Sequence, residues 1–238
     1  MRNDVAREPS CYFYFMRFLV AFLLFPFFGW SQSTDSIPPR SSAVGGGIGA
    51  TSYRGDVNPS YQNFSLEGNI YFILNTQSRL SAGFVAYAGN FTGQNPNLTP
   101  QVQANGDIIQ PTRFFRTSYQ GLALLPRLKV VELSSFSLFV AQGVGILRFQ
   151  PQNESGENLI DIPATRPTNE TFGNSTVHFP TQVHLQWQWN PALAWQVQVG
   201  LMNTLTDYLD NTGELGERMG NDNLLSLRLI LMVTLPNR

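Results

Sequence analysis

The chain has 238 residues, enough for one β domain of ordinary size, and its formal net charge is −1. Charged residues make up only 13% of it and apolar residues 42%, whereas charged residues are about a quarter of most soluble domains. Low charge is expected where lipid replaces water around a protein. The near-zero net charge excludes a nucleic-acid-binding protein and a polybasic membrane-surface patch.

A signal peptide over residues 1–31 is the first predicted element. An apolar run at residues 18–28 follows Arg17, and small residues then lead to Ser31 at the spacing of a signal peptidase site. The run is too short to cross a bilayer as a helix. We expect cleavage after Ser31, which would make Gln32 the mature N-terminus.

Two features refine this prediction. Met16 is the alternative start, because the residues before it form an acidic and aromatic leader that is atypical of a signal peptide. Cys11, the only cysteine, precedes the apolar run, so it is not the lipid-modified residue of a lipoprotein and the mature chain has no thiol. Residues 32–42 are predicted to form a short periplasmic segment before a barrel at 43–238.

Apolar residues after this segment recur with a period of two, which predicts β-strands that each have one apolar face. We predict strands at about 43–53, 62–74, 79–91, 114–130, 135–149, 176–189, 193–206 and 225–235. The fourth and fifth alternate less cleanly, and a bulge in either would shift the assignment of its faces by one residue.

The last strand shows the alternation most clearly. One face carries large apolar side chains: Leu225, Leu227, Leu229, Leu231, Val233 and Leu235. The other face carries a mixed set: Ser226, Arg228, Ile230, Met232 and Thr234. Because a charged residue lies on the mixed face, the apolar face is the one expected to meet lipid.

The connections differ in length at the two ends of the strands. Three are short, at 75–78, 131–134 and 190–192, and three are long and polar, at 92–113, 150–175 and 207–222. Among the connections on the long side only 54–61 is short. Short turns at one end and long loops at the other are typical of outer-membrane barrels.

These patterns predict an all-β fold, a closed antiparallel transmembrane β-barrel of about eight strands with up-and-down topology, in the outer membrane of a Gram-negative bacterium. The rival is a soluble lipocalin-like barrel, whose interior would be apolar and whose exterior would be polar. Glu67, Arg79 and Arg228 lie on the small-residue face. We predict that they form a charge network in the lumen, since charges facing lipid would each cost several kcal/mol.

Three tryptophans, Trp187, Trp189 and Trp195, flank the short turn at 190–192. Tryptophan is enriched where a membrane meets water, so we interpret them as an aromatic girdle at the periplasmic interface. The alternative is that the three rings pack in the core of a sandwich.

No enzymatic or cofactor chemistry is predicted. His178 and His184 share the lumen face but lie about 20 Å apart along a strand, too far for one metal or one catalytic dyad, and we expect both to be solvated. The carboxylates of the last long loop, Asp207, Asp210, Glu214, Glu217 and Asp222, match no standard calcium loop. The glycines at 45–49 lack the lysine and helix of a phosphate-binding loop.

Several segments resemble the PorG-like outer-membrane barrels of Bacteroidota. They are 50–56, 139–153, 179–190 and, most specifically, Thr206, Asp207, Tyr208, Leu209 and Asp210 leading out of the seventh strand. The resemblance covers most of the mature chain, but the third long loop differs. The C-terminal residues 235–238 also lack the family's terminal aromatic residue.

This resemblance implies a component of the type IX secretion machinery that links the outer membrane to the periplasmic secretion ring. The expected function is therefore a non-enzymatic structural or docking barrel, surrounded by outer-membrane lipid and lipopolysaccharide and bound to periplasmic or other envelope proteins. The alternative is a small transport or ligand-binding barrel. An interior of eight strands is nearly filled by side chains, which argues against an open pore.

Overall fold

The structure, a computed structural model, describes residues 41–97, 101–102, 108–109, 113–161, 173–212 and 221–235. The predicted signal peptide with its cleavage site at Ser31 and Gln32 lies outside these residues, as do Glu214 and Glu217 and almost all of the predicted periplasmic segment. Among the described residues, no helix is long and apolar enough to cross a membrane.

The described chain is almost entirely antiparallel β-structure. The barrel strands are β1 (Ser42–Arg54), β2 (Gln62–Leu74), β3 (Leu80–Gln94), β6 (Phe114–Glu132), β7 (Phe136–Gln142), β8 (Val144–Gln152), β9 (Ser175–Gln188), β10 (Leu193–Thr204) and β11 (Asn223–Leu235). Their bounds agree with the predicted strands to within a few residues. A short ribbon, β4 (Gln101–Val102) with β5 (Ile108–Ile109), and a 3-10 turn at Leu159–Asp161 lie within predicted long loops.

Hydrogen bonding closes the sheet into a ring. From β1 to β6 and from β9 to β11 each barrel strand pairs with the next one, and β7 and β8 each bridge β6 and β9. β11 also pairs with β1, from Ser42 opposite Leu235 to Arg54 opposite Asn223. Closure leaves no unpaired strand edge, which is what a sheet surrounded by lipid requires. The predicted closed antiparallel barrel is confirmed.

The fifth position of the ring is divided between two strands, which the sequence prediction treated as one. β7 and β8 are separated at Gly143, and both pair with β6 and β9. Gly143 N donates to the carbonyl oxygen of Pro180 at 2.9 Å. On the β6 side, pairing stops at Arg127 opposite Ala141 and resumes at Leu124 opposite Val144, so Pro126 lies in the gap. Pro126 has no N–H to donate, so the ladder with β6 is interrupted at this level, while the Gly143–Pro180 hydrogen bond maintains the contact with β9.

The predicted irregularity of the fourth strand is present in β6. Its register against β7 shifts between Lys129 and Val131, as in a β-bulge. A bulge changes which residues face inward, and here the extra residue Val130 and its neighbour Val131 are both exposed. The clean period of two therefore ends before the strand does.

Glycines in β1 let this strand lie close to β11. Gly49 faces Arg228, and a Cβ atom at this position would lie 2.7 Å from the carbonyl oxygen of Leu227 and 2.8 Å from Cγ of Arg228. Gly47 is similarly constrained by Ile230. The glycine-rich segment therefore makes room for the large lumen-facing side chains of β11.

Candidate functional site

The exterior of the barrel is apolar. Large exposed apolar side chains lie on every barrel strand, among them Ile48, Leu66, Phe84, Leu124, Val140, Ile146, Leu185, Val197 and Leu229. In β11, Leu227, Leu229 and Val233 are exposed and Ser226 and Arg228 are buried, as the alternation predicts. A closed barrel with an apolar exterior and a polar interior is the architecture of outer-membrane proteins. The chain is a β-barrel of the outer-membrane type.

An ion pair between Glu67 and Arg228 lies in the lumen. Both side chains are fully buried, and Arg228 binds the carboxylate through Nε to Oε1 and through Nη2 to Oε2 at 3.0 Å. Glu67 Oε2 also accepts hydrogen bonds from Tyr119 Oη at 2.6 Å and Thr51 Oγ1 at 2.8 Å. Arg228 Nη1 donates to Tyr71 Oη at 3.0 Å. The bidentate geometry with extra donors is the arrangement a buried pair needs to offset its desolvation.

Arg79 lies elsewhere than the sequence analysis predicted. The strand begins at Leu80, so Arg79 is in the preceding turn and is exposed. The alternation of β3 was extended one residue too far. The lumen network contains Glu67 and Arg228 without Arg79.

Arg127 is a buried lumen cation that the sequence analysis missed. It is 2% exposed, its Nε donates to Ser81 Oγ at 2.9 Å, and its Nη1 donates to Gln196 Oε1 at 3.2 Å. The guanidinium carbon lies 4.1 Å from the centre of the Phe139 ring. Alternation alone would have placed Arg127 inward with Leu125 and Ala123, but Pro126 and the bulge weakened that pattern.

An aromatic layer fills the lumen towards the long loops. Tyr53, Phe91 and Phe115 are fully buried, with Tyr53 stacked on Phe91 at 5.4 Å between ring centres and edge-on to Phe115 at 5.0 Å. Tyr119 lies 5.5 Å from Phe91 and connects this layer to Glu67. Packed rings at this level leave the interior filled by side chains, as expected for eight strands.

The segment after β10 folds inward over the aromatic layer. It contains the family-like residues Thr206, Asp207, Tyr208, Leu209 and Asp210, of which Leu209 and Asp210 are fully buried. Thr117 Oγ1 donates to the carbonyl oxygen of Leu209 at 2.6 Å, and Thr212 N donates to Asp210 Oδ1 at 2.8 Å. The segment that the sequence placed in a loop is thus part of the packed interior.

Two carboxyl groups share one tyrosine hydroxyl beneath this segment. Tyr53 Oη lies 2.7 Å from both Asp210 Oδ2 and Asp222 Oδ1. A hydroxyl has one proton to donate, so the second carboxyl must itself be protonated to bond the same oxygen. Burial raises the pKa of Asp210, and burial together with the charge of Asp210 raises the pKa of Asp222. The geometry and the raised pKa values of both acids favour a proton shared between them.

The histidines are buried and are not solvated as predicted. His178 is 0% exposed and hydrogen-bonds Tyr87 Oη through Nε2, and His184 is 1% exposed with Nε2 3.0 Å from Gln182 Oε1. Tight packing of the lumen by glutamine and tyrosine side chains excludes water from both rings. The hydrogen-bond partners of the two rings are a tyrosine hydroxyl and a glutamine amide, whereas a catalytic triad needs a serine and a carboxylate.

The three tryptophans lie on the outer surface at the short-turn end. Trp187 pairs across strands with Trp195 and stacks on Phe136, with 6.2 Å between ring centres. Trp189 follows β9 in the turn and is 65% exposed. That this end faces the periplasm stays a prediction.

Within the described part of the chain, no three histidine, cysteine or carboxylate side chains are grouped as metal ligands. The sequence analysis grouped five carboxylates of the last long loop. Of these, Asp210 and Asp222 meet around Tyr53. Their arrangement is that of a proton-sharing pair.

No protein-family model matches the sequence, and no curated protein matches it either. Among solved structures, the chain is similar to Ail, the attachment invasion locus protein of Yersinia pestis, in its complex with the heparin analogue sucrose octasulfate. The two sequences are 10% identical, and the match covers 83% of this chain and 99% of Ail with a TM-score of 0.48. Neisserial surface protein A is 8% identical over 81% of this chain and 96% of its own, with a TM-score of 0.49. The outer membrane protein OprG of Pseudomonas aeruginosa is 9% identical over 83% and 96%, with a TM-score of 0.44. Nothing about function follows from these similarities.

Proposed function

We propose that this protein is a non-enzymatic outer-membrane barrel that acts as a structural or docking component of an envelope complex. The supporting observation is that side chains fill the lumen at successive levels. Leu209 and Asp210 lie over the aromatic layer of Tyr53, and the Glu67–Arg228 pair follows below it. A filled lumen leaves the polar loops and the short turns as the surfaces that can meet another protein.

The proposed partner is the periplasmic ring of the type IX secretion machinery. This choice rests on the resemblance to the PorG-like barrels, and most of all on the segment Thr206–Asp210. In the structure this segment is packed into the barrel end instead of projecting from it. We infer that it stabilises the barrel and that the ring meets the short turns.

A transport or ligand-binding barrel is the second candidate. The observation that favours it is a cavity of about 300 Å³ at the short-turn end, reached from the turns and lined by polar side chains. Planar-bilayer recordings distinguish the two candidates, since the filled lumen should give no stable single-channel conductance. Reproducible conductance from the purified barrel would contradict the docking proposal.

Site-specific photo-crosslinking in native membranes tests the docking proposal directly. A photoreactive side chain would replace exposed Ser134 in a short turn, exposed Glu154 in a long loop, or lipid-facing Leu66 as the control. We expect a discrete protein adduct from Ser134 and none from Leu66. Absence of adducts from both Ser134 and Glu154 would overturn a docking role.

A deletion strain tests the partner separately. We expect substrates of the type IX system to be retained in the periplasm. Normal secretion together with an adduct at Ser134 would replace the secretion ring by another envelope complex and leave the docking role standing.

A further inference from the structure

The cavity at the short-turn end contains a buried cation whose charge has no counter-charge beside it. Arg127 lies in its wall, and its hydrogen-bond partners, Ser81 and Gln196, are neutral. In the described residues, no carboxylate forms an ion pair with Arg127, whereas the other buried arginine, Arg228, is paired with Glu67. An unpaired buried charge is costly, and a bound anion is one way to offset that cost.

The charges around the cavity favour a ligand that carries a single negative charge. Lys129 and Glu132 also line it, and they pair with each other at 2.6 Å between Nζ and Oε1. The charges of Lys129 and Glu132 cancel, so the uncompensated charge in the cavity wall is the positive charge of Arg127. Glu132 is mostly exposed at the rim, where it would disfavour ligands of higher negative charge.

The geometry of Arg127 leaves one approach open. The Phe139 ring covers one face of the guanidinium. The Nε–H group and one N–H of Nη1 already donate to oxygen atoms of Ser81 and Gln196. Nη2 and the second N–H of Nη1 form the other edge of the planar fork, which matches the two oxygens of a carboxylate.

The remaining walls of the cavity combine polar and apolar groups. Hydroxyl and amide groups of Ser137, Gln186, Gln188 and Thr234 line it and can bind ligand oxygens. Buried Ile73, Phe139 and Met232 supply an apolar surface. A volume of about 300 Å³ is that of a site for a small molecule or a chain end.

We propose that this cavity is a binding site for a singly charged carboxylate, held by Arg127 with its apolar part against Ile73, Phe139 and Met232. The carboxylate belongs either to a small free acid or to the C-terminus of a peptide. Entry is from the short turns, because the Glu67–Arg228 pair and the aromatic layer fill the lumen beyond. The site is independent of the docking role.

Titration calorimetry on the full barrel in a zwitterionic detergent tests the site. The probes are butyrate, its uncharged analogue butanol, inorganic phosphate, and the dipeptide N-acetyl-alanyl-leucine with a free or an amidated C-terminus. We expect saturable binding of butyrate or of the free dipeptide, and binding at least tenfold weaker for butanol and the amide. Tighter binding of the dipeptide assigns the source as a peptide C-terminus, and tighter binding of butyrate assigns a free acid.

Variants locate the binding. Arg127→Met should abolish it, Arg127→Lys should weaken it, and Arg79→Met is the matched control at an exposed arginine of the same barrel end. Removing an unpaired buried charge should also leave Arg127→Met folded, with an unfolding midpoint in urea at or above that of the unliganded wild type. Three results would overturn the site: no saturable binding of either carboxylate, preference for phosphate, or unchanged affinity in a folded Arg127→Met variant.

Discussion

Changing Glu67 to Gln is expected to be among the most destabilising nearly isosteric substitutions in this barrel. It removes one charge and leaves Arg228 buried, since both side chains are fully enclosed. Removing one partner of such a pair typically costs about 3–5 kcal/mol, a roughly 10²- to 10⁴-fold loss in the ratio of folded to unfolded protein. The amide still accepts from Tyr119, so we expect a value near 3 kcal/mol.

A double-mutant cycle separates the pair from its surroundings. Arg228→Met leaves Glu67 buried with its hydroxyl donors Thr51 and Tyr119, and we expect a loss of about 3 kcal/mol here as well. The double variant Glu67→Gln/Arg228→Met contains neither charge and should be less destabilised than the sum of the two single changes by several kcal/mol.

Unfolding in urea from lipid vesicles, followed by tryptophan fluorescence and by the mobility of unheated protein in gels, measures each corner of the cycle. The reasoning fails if Glu67→Gln costs less than about 1 kcal/mol and the two changes are additive. That result would mean that water reaches the pair and that the lumen is open at this level.

Three further predictions follow from the exterior, the loop end and the N-terminus. Leu229→Arg places a charge in lipid and should reduce insertion into vesicles by roughly 2–4 kcal/mol, whereas Thr234→Arg at the cavity rim should insert normally; equal defects would show that the faces are misassigned. Because burial raises the pKa of Asp210 and Asp222, the folded state binds more protons than the unfolded state at pH values above about 4. Docking of the Leu209 segment should therefore be strongest in acid and loosen as pH rises, seen as faster amide hydrogen exchange; Asp222→Asn should remove this pH dependence, and an unchanged profile would count against the shared proton. Sequencing of the mature protein should begin within two residues of Gln32, and retention of residues 1–15 would contradict the predicted cleavage.

The strands could be predicted because the membrane imposes one rule on all of them. A side chain of each strand meets either lipid or the lumen, so the period of two is visible wherever backbone pairing is regular, as in β10 and β11. The prediction failed where pairing is irregular. The ladder with β6 is interrupted beside Pro126, where the fifth strand divides, and the alternation of β3 does not extend back to Arg79.

The interior contacts could be predicted only in part. Glu67 and Arg228 were grouped because they share the lumen face, and any two opposite charges in a narrow lumen are driven to meet. The contact of Tyr53 with Asp210 joins residues far apart in sequence and depends on how a loop folds inward. No local periodicity encodes such a contact. Arg127 was missed for a local reason, since a proline and a bulge adjoin it.

Buried charge is distributed unevenly along the lumen, and this gives the two ends different chemistry. At the loop end, the buried carboxyl groups of Asp210 and Asp222 meet around the Tyr53 hydroxyl. In the middle, Glu67 and Arg228 cancel. At the turn end, Arg127 supplies a positive charge beside an accessible cavity. An anion that enters from the turns is attracted to Arg127. It cannot pass further, because side chains fill the middle of the lumen and Arg228 is already paired with Glu67 there. The interior is therefore suited to hold an anion at one end and is unsuited to pass it to the other.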